Sequence, residues 1–202
     1  MVAALRCAGV SDSALYPVIQ HLARAARFAA ADSPGDKIEK LTALFSARAK
    51  SDAAAIPLLA ELLSIPVAEQ AAPLSLTPAQ RKAATIALLN DEIVRLGETG
   101  PVLLVLEDAH WIDATTLELM TRLADSIGPA RVLAVVTGRP EFAPPWQARP
   151  HATLLTLGRL GRAECTQLVA GVAAAHGLSA ETVAAIVVKT DGVPLFIEEL
   201  TN

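Results

Sequence analysis

The chain has 202 residues, of which 52% are hydrophobic and 19% are charged, and its formal net charge at pH 7 is −4. This length and hydrophobicity are sufficient for one domain, and part of another, with a real core. The acidic balance and the 3% of aromatic residues argue against direct nucleic-acid binding, which favours a basic surface and stacking platforms.

The two cysteines and the apolar runs bear on the compartment. Cys7 and Cys165 lie far apart in the sequence, as expected of reduced thiols that act as small hydrophobic residues in the cytosol. The N-terminal MVAALRCAG has no apolar core of a signal peptide, and no apolar run approaches the roughly 18 residues of a membrane span. We therefore expect a cytoplasmic protein without a membrane partner.

The first part of the chain is predicted to contain one strand and then helices. Val2 to Leu5 could form a short strand. Apolar residues at helical spacing predict helices over residues 13–28, 36–49 and 56–63, followed by a loop over 67–73. Thr77-Pro78 is typical of a helix start, with Thr as the N-cap and Pro in the first turn, and this helix is predicted to run to about Leu96.

Three further strands are predicted, separated by a helix and a proline-rich loop over 141–150. Val102–Leu106 is a continuous apolar run, as expected of a strand buried on both faces. Asp113 is the predicted N-cap of the next helix. Val132–Val136 and Thr153–Leu157 are the other predicted strands. Strands separated by helices indicate a parallel sheet, so the fold class is α/β.

After Leu160 the pattern becomes wholly helical. Helices are predicted over residues 163–175, over 180–189 with Ser179 as N-cap, and from Leu195 onward. We therefore divide the chain into an α/β core over residues 1–160 and the start of a small helical subdomain over residues 161–202.

The sequence LEDAHWID marks the most conspicuous candidate site. Glu107 and Asp108 follow the apolar run of Val102–Leu106 directly. The carboxyl end of a parallel strand is where open α/β sheets bind ligands. Two adjacent carboxylates there are costly to desolvate unless a cation or donors use them. The alternative is that the two acids simply face solvent at the end of the strand.

Three motifs together, LLVLEDAHWID, VVTGRPEF and TDGVPLFIEEL, resemble the ATPase module of the signal-transduction NTPases with numerous domains, a branch of the AAA-like P-loop ATPases. The resemblance spans nearly the whole chain, including RCAGVSDSALYPVI near its start. It is strongest to the version that follows the cyclase domains of soluble-type class III adenylate cyclases, and related modules occur in large bacterial transcriptional regulators. It implies a partial P-loop NTPase sheet with a helical lid.

The resemblance also implies roles for particular residues. Glu107 and Asp108 match the Walker B acids: Glu107 would hold the Mg²⁺ shell through water, and Asp108 would polarise the attacking water, although the two roles could be exchanged. Arg139 matches a sensor arginine for the γ-phosphate of ATP; otherwise it is a surface turn residue. Gly192 and Pro194 match the G-x-P motif that lines the nucleotide; otherwise they form a helix-break-helix turn. His110 could position a water or satisfy a buried donor, and Trp111 could pack or contact a ligand; for both residues we favour the structural role.

The phosphate-binding loop, G-x-x-x-x-G-K-[ST], is absent, because no Gly-Lys pair occurs in the sequence. Losing about three charge-assisted hydrogen bonds of roughly 1.5–3 kcal/mol each costs roughly 5–9 kcal/mol, or on the order of three to six decades of affinity. We therefore expect a fragment that binds ATP weakly or not at all, whose P-loop segment and output domain are missing partners. The resemblance implies that the strand before the P-loop lies between Val132–Val136 and Thr153–Leu157, so its absence would leave Val132–Val136 with an unpaired edge.

Two hypotheses about function remain at this stage. In the first, the chain is part of an ATP-binding regulatory ATPase and is not ATPase-competent alone. In the second, it is a non-catalytic interaction module, or the remnant of a truncated gene, without nucleotide binding. An in-frame phosphate-binding loop encoded upstream of Met1 would favour the first, and a nearby stop codon the second.

Overall fold

A computed structural model describes residues 2–7, 13–46, 52–66, 75–172 and 178–201. The chain divides into two compact units, Met1–Thr153, here called the sheet unit, and Leu154–Asn202, here called the helical unit. The predicted loop over residues 67–73 lies outside the described residues, as do the last residues of the helices predicted over 36–49 and 163–175. The division predicted between residues 160 and 161 stays a prediction.

Three parallel strands form the sheet: β1 (Val2–Arg6), β2 (Val102–Glu107) and β3 (Val132–Val136). Their order is β1-β2-β3, so β2 is central and both of its pairings are parallel. The α/β class and these three strands, predicted from the sequence, are thereby confirmed. That the sheet is of the P-loop NTPase type stays a prediction.

The sheet has one covered face and one open face. Leu5, Leu104 and Leu106 point to the covered face and are at most 5% exposed. Val2 and Leu133 point to the open face and are 68% and 62% exposed. The prediction that Val102–Leu106 is buried on both faces is therefore wrong for the open face, where its residues are only half-buried. The physical reason is that the apolar side chains of the helices cluster against the covered face.

Five helices belong to the sheet unit among the described residues. They are α1 (Tyr16–Ala25), α2 (Pro34–Leu44), α3 (Ala55–Leu62), α4 (Pro78–Thr99) and α5 (Ala114–Ser126). Their apolar residues share one core with the covered face of the sheet, and its fully buried members include Leu41, Leu59 and Leu123. Each predicted helix of this region exists, with ends that differ by a few positions.

Side-chain caps fix where the two longest of these helices begin. Thr77 accepts a hydrogen bond from the Gln80 N–H at 3.3 Å, and the Gln80 side chain accepts one from the Thr77 N–H at 2.8 Å. Such reciprocal capping satisfies main-chain donors that the helix itself cannot. Asp113 Oδ1 accepts from the N–H groups of Thr115 and Thr116, both at 2.9 Å. Both caps were predicted, and the second helix starts directly behind the candidate site.

The predicted strand Thr153–Leu157 is not a strand in the structure. Residues 152–161 carry no helix or strand, and Leu154, Leu155 and Leu157 are 72%, 79% and 93% exposed. A strand needs a neighbour to satisfy its main-chain groups, and β3 pairs only with β2 among the described residues. The edge of β3 is thus unpaired in this part of the chain, as expected from the sequence.

The helical unit contains α6 (Arg162–Val172), α7 (Ala180–Thr190) and α8 (Pro194–Thr201). Its small core is formed by Cys165, Val169, Ile186, Val187 and Ile197. Ser179 Oγ accepts from the Thr182 N–H at 3.2 Å, so the predicted N-cap of α7 is confirmed. No helix among the described residues of either unit is long and apolar enough to cross a membrane.

Candidate functional site

The carboxyl ends of the three strands meet at one edge of the sheet. The parallel register places Arg6 opposite Glu107. Beyond the ladder, Cys7 donates its N–H to the carbonyl of Glu107 at 3.0 Å, and Thr137 donates its N–H to the carbonyl of Leu106 at 2.9 Å. This edge, here called the carboxyl edge, therefore carries Glu107 and Asp108, with Arg139 in the segment that follows β3.

Asp108 adopts a left-handed backbone conformation, with φ 57° and ψ 40°. Few residues other than glycine take this conformation, and aspartate and asparagine tolerate it best. Thr137 holds the turn: its hydroxyl accepts from the Asp108 N–H at 3.2 Å, and its carbonyl accepts from the Ala109 N–H at 2.8 Å. Sequence reasoning selected Arg139 from the TGRP segment and missed Thr137, whose signal was a hydroxyl residue directly after a strand.

The two carboxylates differ in their surroundings. Glu107 is exposed, because strand alternation turns it to the open face. The Asp108 side chain is 33% exposed, and its Oδ2 lies 3.4 Å from Nε of Arg6. Contrary to the expectation from the sequence, the exposed Glu107 carboxylate is therefore not desolvated and bears no such cost. Arg6 was not selected from the sequence, although an arginine at the end of the neighbouring strand was its visible signal.

Asp113 and Cys7 lie behind this edge. Cys7 is 3% exposed, and burial, followed by the negative charges of Asp113 and Asp108, raises the pKa of its thiol from the ordinary 9.0 to about 11. Besides capping α5, Asp113 Oδ1 accepts from the N–H of Leu15 at 3.3 Å. Asp113 thus acts as a structural anchor, and the Cys7 thiol is protonated at neutral pH.

His110 and Trp111 follow in a 3₁₀ turn formed by Ala109–Trp111. Both ring nitrogens of His110 are shielded from solvent and have no hydrogen-bond partner among the described residues. The structural role favoured for His110, satisfying a buried donor, is therefore not observed. Trp111 is 48% exposed, and the guanidinium carbon of Arg139 lies 5.9 Å from the centroid of its ring.

The donor set is compatible with a magnesium ion held through water, but not with a closed metal site. Within the described residues, no group of three or more His, Cys, Asp or Glu side chains could hold a metal ion. Mg²⁺ commonly keeps several waters and uses one or two carboxylates plus phosphate oxygens. Glu107 and Asp108 could supply such carboxylates, with Arg6 competing for Asp108.

Gly192 and Pro194 lie in the helical unit. Gly192 has φ +73°, and a Cβ there would collide with the Leu160 carbonyl oxygen. The Gly192 carbonyl accepts the Leu160 N–H at 2.8 Å, and Pro194 is the first residue of α8. Gly192 also lines a cavity of about 300 Å³ with Arg159 and other residues of this unit. The packing of the helical unit is by itself sufficient to require this glycine.

A larger cavity is lined by other residues of the sheet unit. It has a volume of about 570 Å³, lies between α4 and α5, and is lined by residues that include Ile86, Leu117, Arg122 and Asp125. None of the predicted site residues lines it. We therefore consider the carboxyl edge as the candidate site on the basis of chemistry rather than of concavity.

Comparison with known proteins adds one partial similarity. The chain is 35% identical over 103 residues to an uncharacterized protein of Rhizobium meliloti (strain 1021), and the match covers 50% of this chain and 10% of that protein. The chain thus spans about a tenth of the length of the relative that it matches. No model of a known protein family and no solved structure matches the chain.

Proposed function

We propose that the chain is part of an ATP-binding regulatory ATPase module of a multidomain signalling protein, such as an adenylate cyclase or a transcriptional regulator. One observation carries the proposal. The central parallel strand ends at Glu107 and is followed directly by Asp108, and the neighbouring strand is followed at the same edge by Arg139. Acids and an arginine at the carboxyl end of a parallel sheet suit a magnesium-bound phosphate.

The residues at the carboxyl edge would have different roles, because their surroundings differ. Glu107 is exposed and forms no ion pair among the described residues, and it would hold the hydration shell of Mg²⁺. A bound Mg²⁺ would neutralise negative charge on the phosphate groups. Asp108, fixed in its turn by Thr137, would orient and polarise water. Arg139 would face the γ-phosphate. Gly192 and Pro194 enter as nucleotide-lining residues through the family resemblance alone.

We further propose that a segment outside these 202 residues supplies the phosphate-binding loop. Two features support this: the sequence has no Gly-Lys pair, and β3 has an unpaired edge among the described residues. An unpaired strand edge invites another strand. ATP and this segment are thus the proposed partners, and the chain alone is not a competent ATPase.

The open face of the sheet favours a second candidate function, a non-catalytic interaction module. Val2 and Leu133 are mostly exposed on that face, and Val135 is 40% exposed. Parallel sheets normally have both faces covered, so an apolar partner would be expected there. In this alternative the carboxyl edge binds no nucleotide.

The test is turnover by a chain extended upstream with the native segment that carries a G-x-x-x-x-G-K-[ST] loop. Asp108→Asn should abolish ATP hydrolysis in that protein while ATP binding persists. Asp125→Asn is the matched control, because Asp125 forms an exposed ion pair with Arg149 and should not affect turnover. Equal hydrolysis by wild type and Asp108→Asn would remove Asp108 from the chemistry. Failure of the extended wild type to bind ATP would favour the interaction module.

A further inference from the structure

We propose that Trp111 is a positioning residue whose indole ring holds the guanidinium of Arg139 at the carboxyl edge, where a phosphate can reach it. The inference rests on the proposed function for Arg139 and adds a residue to it. Trp111 itself would touch no phosphate; it would act through Arg139.

The contact with Trp111 distinguishes Arg139 from Arg6, the arginine at the end of β1. The guanidinium carbon of Arg139 lies 5.9 Å from the centroid of the Trp111 ring, within the range of cation–π attraction. Arg6 is paired with Asp108. The guanidinium of Arg139 forms no hydrogen bond or ion pair within the described parts of the chain. The contact with the Trp111 ring therefore favours one orientation of the Arg139 side chain, which has no other polar partner among the described residues.

Trp111 is itself held by its place in the turn. The main-chain N–H of Trp111 donates to the carbonyl of Asp108 at 2.9 Å. The indole ring lies beside the ring of His110, with centroids 4.5 Å apart and planes inclined by 48°. Ala109, in the same turn, is completely buried. The turn that fixes Asp108 thus also fixes the ring that Arg139 contacts.

The exposure of Trp111 argues against a purely packing role. A tryptophan that served the core would bury its ring, as Trp146 does at 9% exposure, whereas Trp111 is 48% exposed. Half of the residue remains accessible to solvent at the edge that carries the charged residues. Cation–π pairs at exposed sites change an equilibrium by roughly two- to five-fold, and we expect an effect of that size on phosphate affinity.

The test uses the 202-residue chain, with the side-chain Nε–Hε resonance of Arg139 followed by NMR and assigned by its loss in Arg139→Lys. The Trp111 ring current should displace this resonance from the position of a free arginine. Trp111→Leu should abolish the displacement, and Trp111→Phe should retain part of it. The resonance of Arg149, which pairs with Asp125, is the internal control and should not move. Inorganic phosphate is then titrated at constant ionic strength.

We expect Trp111→Leu to weaken the phosphate response of Arg139 roughly two- to five-fold, with Trp111→Phe in between. An Arg139 resonance that is the same in wild type and Trp111→Leu would overturn the inference. Equal phosphate affinity in these two proteins, despite a shifted resonance, would also overturn it. A wild-type chain with the displacement but without any phosphate response would overturn the inference as well, because Trp111 would then be only a packing contact of Arg139. The proposed function is tested separately, by ATP binding and hydrolysis of the chain extended upstream.

Discussion

The hydroxyl of Thr137 accepts a hydrogen bond from the main-chain N–H of Asp108 at 3.2 Å, and so connects the ends of two neighbouring strands. With the carbonyl of Thr137 bound to Ala109, this contact holds Asp108 in its left-handed turn. Residues held in sparsely populated backbone conformations concentrate at functional sites. The carboxylate at the centre of the proposed site is thus set by backbone geometry as well as by side-chain contacts.

Replacing Asp108 by alanine should destabilise the chain more than replacing it by asparagine. Both variants lose the ion pair with Arg6, but asparagine tolerates the left-handed region and alanine does not. We expect a difference of about 1–2 kcal/mol in the free energy of unfolding, measured with urea. Equal stabilities would show that the turn at Asp108 is not strained for an ordinary residue.

Thr137→Val should lower the free energy of unfolding by about 0.5–1.5 kcal/mol, because it removes the hydroxyl that accepts from Asp108 and keeps the shape of the side chain. Thr137→Ser is the matched control, since it keeps the hydroxyl. Urea denaturation of the three proteins provides the comparison. The role given to the hydroxyl would be refuted if serine cost as much as valine.

Gly192→Ala should destabilise the helical unit by at least about 2 kcal/mol. An alanine at φ +73° costs about 1–2 kcal/mol, and its Cβ would also collide with the Leu160 carbonyl. Gly171→Ala is the control: Gly171 lies in α6 with open space around its Cβ position, so alanine should stabilise the helix by about 0.5–1 kcal/mol. The measurement is hydrogen exchange of the α7 amides. Similar changes of the exchange rates in the two variants would contradict the prediction.

Cys7 should make the sheet unit less stable at alkaline pH. Burial and the charges of Asp113 and Asp108 raise the pKa of the folded thiol from 9.0 to about 11. Because the pKa of the thiol is higher in the folded chain than in the unfolded chain, folding favours the protonated thiol. The stabilisation from the protonated thiol is complete below pH 9.0 and is lost as the pH rises through about 11.

Wild type should therefore lose on the order of 2 kcal/mol more than Cys7→Ala across that pH range, as measured by urea denaturation. Cys165→Ala, a change at the buried cysteine of the other unit, should retain the wild-type dependence. If wild type and Cys7→Ala show parallel pH profiles, the Cys7 thiol does not titrate differently in the folded chain.

The features predicted correctly from the sequence depend on local signals. The N-caps Thr77, Asp113 and Ser179 bond to groups two or three residues away, and β1, β2 and β3 are short apolar runs with clear ends. The predicted strand Thr153–Leu157 failed because a strand also requires a neighbour, and its own residues do not encode one.

The contacts of the candidate site were less predictable, because they join distant positions. Thr137 and Asp108 are separated by 29 residues, and their hydrogen bond depends on how β2 and β3 pair. The ion pair of Arg6 with Asp108 likewise depends on the pairing of β1 with β2. An apolar run indicates that a strand is suited to burial. It does not indicate whether the element that would cover the strand is part of these 202 residues.

Calorimetry with Mg-ATP tests the central claim most directly, that the carboxyl edge is a nucleotide site completed by a segment outside these 202 residues. The 202-residue chain and the chain extended upstream with its native sequence, including the proposed phosphate-binding loop, would be titrated under the same conditions. We predict micromolar binding by the extended protein and millimolar or weaker binding by the shorter one, since the loop contributes on the order of three to six decades of affinity. Micromolar binding by the 202-residue chain, or no binding by the extended protein, would contradict the account.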